Sequence, residues 1–227
     1  SDERILVIEE SAELRPSHPH VVHLQVRRAN VQGAGEVALG ELVRAAMRMR
    51  PDRIVLGECR GAEVREVLTA LNTGHEGGWA TIHANSAADV PARLTALGAL
   101  AGMGEDVVAA QAASALDAVV HIERRNGVRV LAQVAVLERR RGELTASVAL
   151  EFEGKAVTRG PAWPRLAARV GMDARAGAEV CAGLDARIGM EVDVGLSVDA
   201  GADAGTGTAA CAGADAAGER EDKRMRT

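Results

Sequence analysis

Three short apolar runs in the first 85 residues each end in polar residues able to do chemistry. RILVI runs into Glu9 and Glu10, RIVLG into Glu58, and WATI into His83, Ala84 and Asn85. A carboxylate such as Glu58 is a hard acceptor that can orient a water, hold an aquo ligand of magnesium, or take a proton. His83 can stabilise a transferring phosphoryl group as a neutral donor or as a cation. Arg50 and Arg60 flank Glu58 in RPDRIVLGECR. Each suits bidentate pairing with phosphate oxygens, or simple neutralisation of the glutamate. The run TGHEGG, residues 73–78, offers backbone for close approach of a ligand, while the spacing of His75, Glu76 and His83 matches no common zinc pattern.

The surrounding elements place these residues together. Arg4 to Ile8 and Val21 to Val26 read as strands, and Glu36 to Arg50 as a helix whose apolar positions recur at helical spacing up to Pro51. A strand from Arg53 to Leu56, an amphipathic helix from Ala62 to Asn72 with Gly74 as its stop, and a strand from Trp79 to His83 follow. Ser86 and Asp89 match a capping box for a helix through Leu100, with Asp89 as the rival cap. Glu105 to Leu116 is another helix, and Asn126-Gly127 joins VVHIER to VRVLAQVAVLER as a hairpin, with a further strand from Ala146 to Phe152. Strand–helix alternation followed by consecutive strands predicts an α/β fold: a mostly parallel sheet with helices on both faces and an antiparallel extension. In such a sheet ligands bind beyond the carboxyl ends of the strands. A lone acidic residue there is more often a helix cap or ion-pair partner, but three polar clusters in succession converge on one crevice.

Composition sets the remaining bounds. Net charge is -5 and the sequence pI about 5.7, so nothing global argues for nucleic acid; the basic run Arg139–Arg141 reads as a solvated turn more readily than as a phosphate contact. Cys59, Cys181 and Cys211 are odd in number and unpatterned, which fits a reducing cytoplasm better than a disulfide framework. No apolar run approaches the roughly 20 residues of a membrane helix. Residues 1–158 read as one domain. Residues 159–227 turn to Ala, Gly and Asp and read as a low-complexity, disordered tail.

In order, RILVIEESAEL, MRPDRIVLGECRG and TGHEGGWATIHANS resemble the aspartate box, Walker B motif and histidine box of the type II and type IV secretion ATPases. NTGHEGGWATIHAN and AMRMRPDR are most similar to the Tad/CpaF-type pilus-assembly branch, and the resemblance covers about Glu3 to Leu137. It implies a RecA-like P-loop NTPase core and a cytoplasmic ATP hydrolase that works as a hexamer with ATP and Mg2+. It also implies docking on an inner-membrane platform protein at the inner face of the cell membrane. By the same resemblance Glu9 matches the glutamate of the first box and Glu58 the Walker B glutamate, which would approach magnesium through a water. His75 and His83 match the histidine box, Glu10 stands where the family often has Asp, and Arg48, Arg50 and Arg60 fall on arginines of the second motif, Arg48 and Arg50 as candidates for action between subunits. Gly61, Cys59 and Trp79 depart from the usual residues without removing a reacting group.

The chain contains no GxxxxGK[ST] loop, and Lys155 and Lys223 are its only lysines. With no initiator Met and a strand beginning near Arg4, the sequence reads as the C-terminal part of such a motor, with the phosphate-cradling loop upstream and little activity of its own. The alternative is a non-catalytic relic or interaction module that only docks to the secretion machinery.

Overall fold

The computed structural model describes residues 2–74, 77–154, 156–172 and a strand at 208–212. The chain begins with two parallel strands, β1 (Ile5–Glu9) and β2 (Val21–Gln25), then α1 (Leu39–Met47), β3 (Arg53–Leu56), α2 (Val64–Leu71) and β4 (Trp79–His83). A 3-10 turn at Ala87–Asp89 leads into α3 (Val90–Leu100), then α4 (Glu105–Ala115). The antiparallel part comprises β5 (Ala118–Arg125), β6 (Val128–Arg140), β7 (Glu143–Glu153) and β8 (Ala156–Arg159), followed by α5 (Trp163–Arg169) and β9 (Thr208–Ala212). Among the described residues they build one sheet of order β2-β1-β3-β4-β9-β5-β6-β7-β8.

Period-two burial sorts the two faces. Leu6 and Ile8 of β1, Ile54 and Leu56 of β3, and Ala80 and Ile82 of β4 point to one side. There they meet Val43 of α1, Leu68 of α2, Leu94 and Leu97 of α3 and Val108 of α4 in one continuous core, which runs on to Val119, Ala135 and Leu137. On the opposite face of the antiparallel part lies α5, whose Trp163, Leu166 and Ala167 pack on Val134, Val136 and Leu150. Helices thus lie on both faces, four on one and α5 on the other.

Most expected elements form, and the deviations have local causes. The first helix starts at Leu39 rather than Glu36 because Val37 exchanges backbone hydrogen bonds with Arg27 (2.9 and 3.2 Å), which holds it extended. At its other end Arg50 takes a left-handed φ of 52° ahead of Pro51, where the helical region is disfavoured. Asn126 and Gly127 both have positive φ (52° and 82°), as a two-residue turn of mirror-image type requires. Arg141 and Gly142 repeat that turn between β6 and β7, so the basic run at 139–141 is a solvated hairpin end; Arg140 Nε donates to Glu138 Oε2 at 2.9 Å. Ser86 donates its hydroxyl to the Asp89 carboxylate (2.8 Å) instead of capping backbone, and Asp89 stands at the N-cap of α3 with Pro91 in the first turn.

The reading of 159–227 as a tail fails at two places, α5 and β9. In WPRLAAR the apolar residues fall at i, i+3 and i+4 over only seven positions, a signal diluted by the Ala- and Gly-rich residues around it. A close approach seats the helix: a Cβ at Gly160 would lie 2.2 Å from the Val148 carbonyl oxygen. The remainder of that segment lies outside the described residues.

Candidate functional site

Parallel pairing of β1, β3 and β4 aligns their carboxyl ends, with Ile8 opposite Leu56 and Leu56 opposite Ala80. The residues just beyond, Glu9, Gly57, Glu58, Thr81 and His83, are therefore brought to one edge, as the spacing of the three polar clusters anticipates. Ladder-like bonds continue past the strands: Gly57 N donates to Ile8 O (2.9 Å), Cys59 N to Thr81 O (2.8 Å), and the Thr81 hydroxyl to Gly57 O. They clamp the segment that carries Glu58.

Glu58 is the hub. Its Oε1 is 2.9 Å from His83 Nε2 and forms an ion pair with Arg60 Nε. The hydrogen bond from Arg60 to Glu58 raises the guanidinium pKa above its already high value, and the charges of Glu58, Glu10 and Glu13 act in the same direction. Arg60 thus faces acidic groups from two loops. Its own loop is tied down by Glu63 Oε1, which accepts from Arg60 N (2.6 Å) and Gly61 N (2.7 Å) at the start of α2. A carboxylate there also suits the positive end of the helix dipole.

Glu9 differs in environment. It is only 5% exposed, and its Oε1 accepts from the backbone of Glu13 (3.1 Å) and Leu14 (2.9 Å), so the carboxylate organises the loop after β1. Gly57 makes room for it: a Cβ there would sit 2.9 Å from Glu9 Cγ. Glu10 is exposed beside it, its carbonyl accepting from Gln25 Nε2 (3.3 Å).

Two sequence candidates are not brought to this edge. Arg48 and Arg50 lie exposed before β3, at the amino end of the parallel strands, where Arg4 O accepts from Asp52 N and Arg53 N. The length of β3, about 13 Å, separates that end from Glu58. Proximity in sequence misled because a strand carries its two flanks to opposite edges of the sheet. His75 lies outside the described residues. Conversely, Glu63 and Thr81 were not singled out from sequence, although an acidic residue in a helix's opening turn is a readable signal.

Among the described residues no three His, Cys, Asp or Glu side chains converge as a metal-binding group. Magnesium keeps most of its waters and takes one or two carboxylates beside phosphate oxygens, so a single carboxylate can serve it. Glu58 fits the role of a ligand acting through water. Among the described residues no helix is long and apolar enough to cross a membrane.

A family model described as "Type II/IV secretion system protein" matches residues 1–150. A Mycobacterium tuberculosis protein named for conjugal transfer is 56% identical over 146 residues, 64% of this chain and 42% of its own length. The type IV secretion system protein PtlH of Bordetella pertussis is 40% identical over 131 residues, 55% of this chain and 38% of its own length. Among solved structures, the VirB11 ATPase of the Brucella suis type IV secretion system aligns with a TM-score of 0.46 and 27% identity, over 59% of this chain and 40% of that one. The chain thus spans about two fifths of the length of these relatives. The match over residues 1–150, which contains all three polar clusters, shows that the chain belongs to the type II/IV secretion system protein family.

Proposed function

We propose that residues 1–158 are the C-terminal portion of a motor domain that hydrolyses ATP, as a hexameric ring, to drive a secretion machine. The observation that carries this reading is the Glu58 cluster: one carboxylate held by an arginine and a histidine at the carboxyl edge of parallel strands. Bound with the nucleotide, magnesium neutralises phosphate charge, and Glu58 would hold it through a water. In the structure the Glu58 carboxylate is engaged by Arg60 and His83. An anionic phosphate arriving at the crevice competes for Arg60 and His83, frees Glu58 to orient the attacking water, and leaves His83 to donate to the phosphoryl oxygens. Glu9 keeps the adjacent loop in place with Glu10 exposed beside it, and His75 is assigned to the nucleotide on its match to the histidine box. Arg48 and Arg50, exposed at the opposite edge, remain the residues proposed to act between subunits.

The names of the relatives favour type IV secretion or conjugal transfer over Tad pilus assembly as the machine served. Docking on a membrane platform at the cytoplasmic face follows from the same reading. The alternative reading is a module that docks on the secretion machinery without hydrolysing ATP.

A chimera separates them. The part of the Mycobacterium relative not spanned here is joined to residues 1–158, and ATP turnover is compared with that of its Glu58→Gln form. The motor reading expects turnover in the parent and a loss of about 10²-fold or more in the variant; equal rates in the two would overturn it. The chain by itself is expected to bind ATP poorly, so tight binding in a titration calorimeter would contradict the assignment of the phosphate grip to another segment.

A further inference from the structure

Among the described residues two buried side chains are polar or charged, Glu9 and His121. Glu9 is engaged beside the crevice, where its Oε1 accepts two backbone hydrogen bonds. His121 differs: it is 3% exposed, and its Nε2 has no hydrogen-bond partner among the described residues. A buried orphan of this kind works against folding, and an apolar side chain of similar size in its place removes the penalty.

The register puts this imidazole close to the crevice. Strands β4 and β5 run in the same direction, each antiparallel to β9, so their carboxyl ends share one edge. His83 and Ile122 both lie opposite Thr208, and Ile82 and His121 both lie opposite Ala209. His121 is therefore one residue short of the level of His83 and two strand spacings, about 10 Å, across the sheet. By alternation it faces the same side as Val119, toward the core beneath the four helices. Its row continues over β6 and β7 with Gln133 and Glu151, which bond to each other, Gln133 Nε2 donating to Glu151 Oε1 at 3.2 Å. The chain that leaves His83 packs over these strands: its 3-10 turn, Ala87–Asp89, lies against β5, β6 and β7, with Ala84 and Ala87 buried. The Ser86 hydroxyl is engaged with Asp89 (2.8 Å) and leaves the imidazole alone.

We propose that His121 is a positioning residue for His83: when phosphate draws His83 away from Glu58, the segment 84–86 settles toward β5 and its polar groups complete the hydrogen bonding of the His121 Nε2. The unpaired nitrogen of the resting structure is one half of that contact. Its pairing stabilises the arrangement in which His83 faces the phosphoryl group, so the stability given up at rest favours the reacting form. The inference deepens the motor reading and rests on it.

Three measurements test it. In the full chain, His121→Leu is expected to leave the urea midpoint unchanged or raise it, because the orphan is removed; a lowered midpoint would make His121 a structural residue and overturn the proposal. In the chimera, His121→Leu is expected to lower kcat about tenfold with KM for ATP unchanged, and His121→Gln, which keeps a polar group at similar reach, to recover most of that loss. Equal kcat for the parent and the Leu variant, or no recovery with Gln, would refute the role. Amide exchange in the full chain, with magnesium and inorganic phosphate as the probe, reads the contact without hydrolysis. Phosphate is expected to slow exchange at Asn85 and Ser86 in the parent and the Gln variant and not in the Leu variant; the same response in parent and Leu variant excludes the contact. A parent chimera that fails to turn over ATP counts against the motor reading, and the exchange comparison then decides the positioning role by itself.

Discussion

Glu58 Oε1 takes both the His83 and the Arg60 contacts, so the chemistry of the crevice depends on which partner lets go first. Arg60 is the more exposed partner, its pKa raised by the Glu58 hydrogen bond. In the chimera, Arg60→Ala is expected to raise KM for ATP more than it lowers kcat if the guanidinium serves to receive phosphate, whereas His83→Ala is expected to lower kcat by about 10²-fold. Steady-state kinetics distinguishes the two patterns. A second residue-scale effect lies at the opposite edge. Arg53 donates to both oxygens of Glu3 (2.9 and 2.8 Å), and this hydrogen bonding holds the Glu3 carboxyl below its ordinary pKa. A depressed folded-state pKa stabilises the fold above the ordinary carboxylate range, and that stabilisation is lost as pH falls through the lowered value. Glu3→Gln should therefore cost up to about 1 kcal/mol at neutral pH, since the pair is partly exposed. The difference in urea midpoint should shrink toward zero in acid, and a difference that persists there would exclude the ion pair as its origin.

At the scale of elements, two glycines set how closely pieces approach. Gly98 of α3 lies so near α4 that a Cβ would come within 2.2 Å of Val108 Cγ2. Gly98→Ala is expected to destabilise by about 1–3 kcal/mol through overpacking. Because the conflict is with one methyl, adding Val108→Ala should recover part of that loss, and strict additivity in denaturant titrations would contradict the contact. Gly57→Ala drives a methyl against Glu9 and should loosen the loop at residues 13 and 14, with faster amide exchange at those two positions as the readout. Placement of α5 decides the other face: Leu166→Ala removes a buried side chain from the cluster around Trp163 and should cost about 2–5 kcal/mol in thermal or urea unfolding. A change under 0.5 kcal/mol would mean that this helix is not part of the cooperative unit.

For the whole molecule, the division between what sequence determines and what folding decides follows the range of the interactions. Alternating strand and helix periods, the Asn126-Gly127 turn and the three polar clusters are local patterns, so the α/β class, the order of elements and the convergence of Glu9, Glu58 and His83 were all readable from the chain. The β-branched and aliphatic runs that specify β1, β3 and β4 bury themselves wherever those strands pair, which is why their boundaries were nearly right. Other features depended on partners far away in sequence. Arg50 looked like a neighbour of Glu58 until β3 carried the two to opposite edges. Glu63 and Thr81 acquired their roles only when loops from separate strands came together. The weak α5 signal gained meaning once the face formed by Val134, Val136 and Leu150 needed cover, and TAACA, with almost no strand character of its own, pairs with both β4 and β5. Sequence supplied the polar clusters and the family; the tertiary structure decided which charges meet, because that is a property of backbone pairing and burial that no local pattern encodes.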